Sequence, residues 1–165
     1  MMKLIARIKF TMQLAVVSLA IIFADTSSAQ RAEKNAATPV ITDAWVKTTI
    51  PGGSVSAAYM NIKSATPLKL VKAESSFAGI VEIHDMKMND GVMEMKALDA
   101  VNVPANKLVK LAPAGMHVML MKVKKPINKG DKVRLTLTFE DEAKKLIVVT
   151  LDAIAKEDNA GGHKH

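Results

Sequence analysis

Hydrophobic and polar positions alternate in short runs along most of the chain, from about residue 40 to residue 155. No apolar repeat at helical spacing is sustained through this region, so the pattern predicts strands and not helices. The predicted strands are 41–48, 55–62, 68–73, 80–88, 92–98, 107–111, 117–123, 132–139 and 145–155.

Turn signals rich in proline, glycine and asparagine separate these runs. They fall at 51–53, Pro67, 89–91, Pro104, 113–115 and 128–131. Many short strands at this spacing are typical of an antiparallel β-sandwich or a Greek-key barrel. Because no internal repeat or linker interrupts the series, we expect one all-β domain over residues 40–155.

The N-terminal segment has the pattern of a secretory signal peptide. Three cations, Lys3, Arg7 and Lys9, precede an apolar stretch at 14–24, and small residues at 27–29 offer a cleavage site before Gln30. The apolar stretch is shorter than the ~20 residues of a membrane-spanning helix. We therefore expect export to the periplasm without a membrane span, with residues 30–39 and 156–165 as flexible ends.

Composition narrows the function classes. The chain has 23 Lys and Arg against 16 Asp and Glu, and only 4% aromatic residues. Its lysines are scattered, which does not favour nucleic-acid binding. The chain contains no cysteine, so a zinc site of the thiolate type and a blue-copper site are both disfavoured.

Four soft-metal ligands stand out in this setting: His84, Met95, His117 and Met119. Thioether sulfur is a polarizable donor that suits Cu(I) and binds hard cations poorly, while imidazole accepts both copper states. Two imidazoles with two thioethers therefore favour Cu(I) over Zn²⁺. Methionine and histidine also keep their ligand character in an oxidising compartment, where thiols form disulfides.

The predicted strands allow these four ligands to converge. A hairpin about the turn at 89–91 sets His84 roughly opposite Met95. His117 and Met119 are two residues apart on one strand, so their side chains share a face. How the two halves meet is left open by spacing alone, since residues 96–116 can run in several ways.

The segments around these residues resemble the periplasmic PCuAC copper-chaperone family. Its signature is a His, a Met after ten residues, and His-x-Met after twenty-one more, which here are His84, Met95, His117 and Met119. The flanking text VEIHDMKM (81–88), DGVMEM (90–95) and GMHVMLM (115–121) is similar as well. The resemblance covers roughly residues 40–150, and a four-ligand motif with its flanks is a specific signal.

This resemblance implies a cupredoxin-like β-sandwich that binds Cu(I) at an exposed edge. It also implies delivery of copper toward cytochrome c oxidase assembly, alongside a thioredoxin-like protein of the Sco type. Two positions depart from the family pattern: Ala114 stands in a turn that is usually Pro-Gly-Gly, and Lys144 stands where a glycine turn is more usual. Neither departure touches a ligand. We expect a monomer.

The remaining methionines and histidines allow more than one interpretation. Met60 is expected to fill the core. Five methionines crowd the ligand segments and are first interpreted as packing residues, with metal contact as the alternative: Met86, Met88, Met93, Met116 and Met121. His163 and His165 end the chain on a glycine hinge, where they are either a solvated tail or an accessory Cu(II) site.

Two other function classes use the same residues. Copper sequestration without delivery needs the same ligands, although a buffering protein would be expected to carry repeated Met or His tracts. A zinc-dependent hydrolase would need carboxylate help from Glu82, Asp85 or Glu94. Since no nucleophile with an adjacent base is apparent, the sequence predicts a protein that is not an enzyme.

Overall fold

The computed structural model describes residues 38–89 and 91–158. The signal peptide predicted at 1–29, nearly all of the segment at 30–39, and the tail histidines His163 and His165 lie outside these residues. Within the described part of the chain, no helix has the length and apolar character needed to cross a membrane.

Ten strands form in the described residues, at nearly the positions that the hydrophobic pattern predicts. They are β1 (Val40–Lys47), β2 (Val55–Lys63), β3 (Leu68–Glu74), β4 (Ala78–Asn89), β5 (Val92–Leu98), β6 (Val101–Val103), β7 (Leu108–Leu111), β8 (His117–Val123), β9 (Lys132–Asp141) and β10 (Leu146–Lys156). The one strand that the sequence did not predict is β6, because three residues are too few to show an alternating pattern.

The strands hydrogen-bond in the order β5-β4-β8-β2-β1-β10-β9-β3-β6, and β7 pairs with β2. Every strand pair given for the described residues is antiparallel except β1 with β10, which is parallel. The expected antiparallel arrangement is therefore correct with this one exception. The N-terminal strand β1 lies in the middle of this order, between β2 and the C-terminal strand β10.

One face of the sheet encloses the core. Phe139, Leu137 and Leu135 alternate along β9 with no exposed surface, and they join one cluster with Leu70 of β3 and Ile83 of β4. The cluster includes strands from both ends of the sheet order, so the sheet curls around a single core. Met60 is 1% exposed within this cluster, as expected for a packing residue.

Candidate metal centre

The candidate ligands lie on the sheet face opposite the core, where β4 runs between β5 and β8. His84 of β4 pairs directly with His117 of β8, and Ile83 and Val118 beside them point into the core. The centroids of the two imidazole rings are 5.8 Å apart. We call this surface the His/Met face, defined by His84, Met95, His117 and Met119.

His117 is held on this face by burial and by a hydrogen bond. It is 3% exposed, and its Nδ1–H donates a hydrogen bond to the carbonyl oxygen of Gly115 at 2.9 Å. The same carbonyl accepts from the backbone N–H of Met86 at 3.3 Å, so β4 fixes the turn before β8. With the proton on Nδ1, the lone pair of His117 is on Nε2, which is the tautomer that a metal ligand needs.

The turn that leads into β8 contains one of the two departures from the family pattern. Ala114 has a φ of 62°, a left-handed conformation that costs an alanine roughly 1–2 kcal/mol and costs glycine almost nothing. Lys144 has a φ of 64° in the turn between β9 and β10. Both positions therefore adopt the left-handed backbone for which glycine is suited, so a residue other than glycine strains each turn.

His84 uses its two ring nitrogens in the opposite way to His117. Its Nε2–H donates to Oε2 of Glu82 at 2.8 Å, and its side chain is 12% exposed. Because an ionised carboxylate only accepts hydrogen bonds, the proton of the neutral ring is on Nε2 and the lone pair is on Nδ1. That Nδ1 atom is buried and has no hydrogen-bond partner.

A buried polar atom without a partner is costly and calls for a ligand or another explanation. The two rings satisfy a simple test for a shared ion. With metal–nitrogen bonds of about 2 Å, imidazole ring centres lie about 3 Å from the metal, so two rings on one ion have centres about 5–6 Å apart. The observed 5.8 Å fits this range, and the carboxylate behind His84 is a common support for a metal-bound histidine.

Met119 and Met95 lie on the same face, on either side of His84. Met119 pairs with Glu82, two residues before His84, and Met95 pairs with Met86, two residues after it. Diagonal neighbours of this kind are about 7–8 Å apart, within reach of long side chains. Met95 is 47% exposed, whereas Met119 is half-buried.

The sequence predicts His84 roughly opposite Met95, and the structure corrects this register by two residues. His84 faces Ala97, and the pairing extends to Asn89 and Val92. Gly91 supplies the positive φ, 79°, that such a tight turn demands. Side chains alternate between the two faces of a sheet with a period of two. Because the register differs by two residues, both ligands stay on the same face.

Of the other methionines, Met116 packs against the core and Met121 follows Met119 on β8, next to Val55 and Ile80 in the pairing. Met86, Met88 and Met93 belong to the β4–β5 hairpin and share a face with Met95. The packing interpretation therefore fits Met116.

Two aromatic residues extend the site toward β1, and the sequence pattern did not single them out for this role. The ring centroids of Tyr59 and His117 are 6.2 Å apart, and those of Trp45 and Tyr59 are 4.5 Å apart. Burial raises the pKa of the Tyr59 hydroxyl, and the charge of Asp158 raises it further. The phenol therefore stays protonated at neutral pH, and a neutral phenol is a weak ligand for a soft cation.

The carboxylates divide between two faces. Glu82 is on the His/Met face and is bonded to His84, whereas Asp85 and Glu94 occupy alternate positions that point away from it. In the part of the chain that the structure describes, no three His, Cys, Asp or Glu side chains are grouped closely enough to hold a metal ion. The sequence offered one signal for Glu82, its two-residue spacing from His84.

The described strands form an all-β domain, and the candidate ligands lie on three strands near one edge of its sheet. Residues 40–151 match a family described as "Putative lipoprotein LpqE-like". A protein of the same kind of description, Lxx21020 from Leifsonia xyli subsp. xyli, is 35% identical over 119 residues, which are 70% of each chain.

Two solved structures are also similar to this chain. The Cu(I)-bound DR1885 of Deinococcus radiodurans is 29% identical, with a TM-score of 0.53 over 80% of this chain and 87% of DR1885. The copper-bound PCuAC domain from PmoF2 has a TM-score of 0.58 and 24% identity, over 73% of this chain and 93% of that domain. The chain belongs to the LpqE-like/PCuAC family, and its fold is cupredoxin-like.

Proposed function

We propose that this protein is a copper chaperone that binds one Cu(I) ion through His84, Met95, His117 and Met119. The observation that carries the proposal is the pair of facing imidazoles. Each ring has one nitrogen bonded to an acceptor of its own strand or turn, and each has a second nitrogen with a lone pair for a metal. The copper is cargo, so the protein acts without catalysis.

The two thioethers give the site its selectivity. Neutral sulfur donors hold Cu(I) and add little to Zn²⁺ binding. The half-exposed Met95 leaves one side of the ion open to an incoming protein. We infer that the thioethers are exchanged first for thiolates of the acceptor, because thiolate is the stronger ligand for Cu(I).

Copper-bound relatives support this proposal, since DR1885 carries Cu(I) and the PCuAC domain from PmoF2 carries copper. The lipoprotein description of the family fits an exported protein. We propose the periplasm as the compartment and an acceptor on the path to cytochrome c oxidase as the partner, with a Sco-type protein assisting. The tail histidines, His163 and His165, are proposed as a separate, weak Cu(II) site.

A transfer experiment separates delivery from sequestration. The full chain, loaded anaerobically with one Cu(I), is mixed with increasing concentrations of an apo Sco-type acceptor, and copper arriving on the acceptor thiolates is followed. A chaperone gives a transfer rate that rises with acceptor concentration, because the acceptor attacks the bound ion directly. A rate fixed at the spontaneous dissociation rate at every acceptor concentration would identify a storage protein instead.

A further inference from the structure

The β4–β5 hairpin has two chemically different faces. One face carries charged residues that pair across the strands, Lys87 with Glu94 and Asp85 with Lys96, and Lys87 also bonds Asp85 at 3.1 Å. The other face carries only methionines over two successive pairs, Met86 with Met95 and Met88 with Met93. Since the charged face provides the solubility of the hairpin, the methionine face requires a separate explanation.

Core packing does not supply that explanation. Met88 is 65% exposed and Met93 is 58% exposed. Neither residue belongs to the core cluster or to the partly buried residues packed against it, and the same holds for Met86 and Met95. Three of the four methionines are exposed and Met86 is half-buried, so they add little to stability, and the property that all four share is the thioether.

We propose that Met88 and Met93 form a second Cu(I) site at the tip of this hairpin, which loads the main site by way of Met86 and Met95. Directly paired residues have Cβ atoms about 4.5–5.5 Å apart, close enough for two flexible thioethers to hold one ion between them. Two neutral sulfur atoms without an imidazole hold Cu(I) more weakly than the main site does. A weak, exposed site suits the capture of an ion that must move on.

The spacing of the methionine pairs along the hairpin defines the proposed path of the Cu(I) ion to the main site. The pair Met88–Met93, the pair Met86–Met95 and the position of His84 are two residues apart along the strand, or about 7 Å per step. Met95 belongs both to the route and to the proposed main site, so the ion passes by exchange of one sulfur for another. Copper stays Cu(I) throughout and no proton is released, because a thioether carries none.

This proposal rests on the proposed main site, and one titration distinguishes the two. The full chain is labelled with ¹³C at the methionine methyl groups and titrated with Ag(I), a soft monovalent ion that does not change oxidation state. The Met95 and Met119 methyl resonances are expected to shift up to one equivalent. The Met88 and Met93 resonances are expected to shift beyond one equivalent.

Each outcome decides one of the two sites. If Met95 and Met119 respond while Met88 and Met93 stay fixed through several equivalents, the tip site is refuted and the main site stands. If Met88 and Met93 respond while Met95 and Met119 do not, the tip site stands as a metal site but the proposed main site and the loading route fail.

The loading role has its own test. Cu(I), supplied as its acetonitrile complex, is mixed rapidly with the full chain and with the double variant Met88→Leu/Met93→Leu, which keeps the apolar surface and removes the sulfur. Loading of the main site is expected to slow in the variant while its equilibrium affinity is unchanged. Met60→Leu makes the same chemical change in the core and serves as the control. An unchanged loading rate in the double variant would show that this face serves another purpose, such as apolar docking of a partner.

Discussion

Two hairpins of the same sheet differ in which side chains they bury and which they expose. In β9–β10, Val133, Leu135, Leu137 and Phe139 are fully buried on one face. On the other face Arg134 bonds Asp152 at 2.9 and 3.2 Å, beside the exposed Leu146 and Val148 of β10. That hydrogen bond holds the pKa of the Asp152 carboxyl below its usual range.

The β4–β5 hairpin is instead exposed along β5 and at the end of β4. Every residue of β5 except Leu98 is exposed. The face of this hairpin opposite its charged residues carries thioethers and imidazole, whereas the outer face of β9–β10 carries residues such as Thr136 and Arg134. The comparison separates residues that stabilise the fold from residues that give it a chemical function. It predicts that substitutions in the two hairpins have different consequences.

The largest expected effect on stability is in β9. Leu137→Ala should lower the free energy of unfolding by about 2–5 kcal/mol, because it leaves a cavity in a fully buried position. Met93→Ala, the same kind of truncation on β5, should change it by less than about 0.5 kcal/mol. Chemical denaturation of both variants measures the contrast, and equal losses would show that the methionine face is a stabilising surface after all.

The largest expected effect on copper is at His117. His117→Ala should abolish stable Cu(I) binding, since it removes one of the two imidazoles at the centre of the site. Circular dichroism checks the fold of this variant, because the change removes a buried ring together with a hydrogen bond to Gly115 that is worth about 1 kcal/mol. Competition with a chromogenic Cu(I) chelator measures the binding. The double variant His163→Ala/His165→Ala removes the other two histidines of the chain and should leave Cu(I) binding intact.

Loss of one sulfur should have a smaller effect. Met119→Leu keeps the volume of the side chain and removes its donor, so Cu(I) affinity should fall while the unfolding free energy changes by less than about 1.5 kcal/mol. Met60→Leu makes the same change in the core and should leave the affinity unchanged. Equal affinities of the two variants in the same chelator competition would remove Met119 from the ligand set.

The smallest expected effect is at the carboxylate behind His84. Glu82→Gln should weaken Cu(I) binding about 10-fold, the lower end of the effect of changing a hydrogen-bond partner of a metal ligand. The neutral amide accepts the Nε2–H bond less strongly and orients the ring less firmly. Glu94→Gln on the opposite face of the hairpin is the matched control. An affinity that is the same in both variants would show that Glu82 has no part in the site.

The sequence predicted most of the strands because their alternation is regular, and it placed all four ligands on strands. Its errors concern how the strands pair. The parallel pairing of β1 with β10 joins residues more than a hundred positions apart, which no local pattern encodes. The pairing of His84 with Ala97 depends on the register of the β4–β5 hairpin, which the alternation of residues does not fix.

The tautomers of the two histidines were also beyond sequence reasoning. They follow from a carbonyl in the turn before β8 and from a carboxylate two residues away. The Glu82 spacing hinted at a shared face but left open whether the carboxylate would bind metal or bind histidine. Only the geometry of the side chains decides between these roles.

X-ray absorption at the copper edge tests the central proposal most directly. The full chain is loaded anaerobically with less than one equivalent of Cu(I), so that the strongest site dominates the spectrum. We predict nitrogen and sulfur neighbours together, at about 2.0 Å and about 2.3 Å, the usual distances for these donors on a similar ion. The double variant Met95→Leu/Met119→Leu should lose the sulfur shell of this site. A shell of nitrogen and oxygen alone in the intact protein, or a sulfur shell that the double variant retains in full, would contradict the assignment of His84, Met95, His117 and Met119.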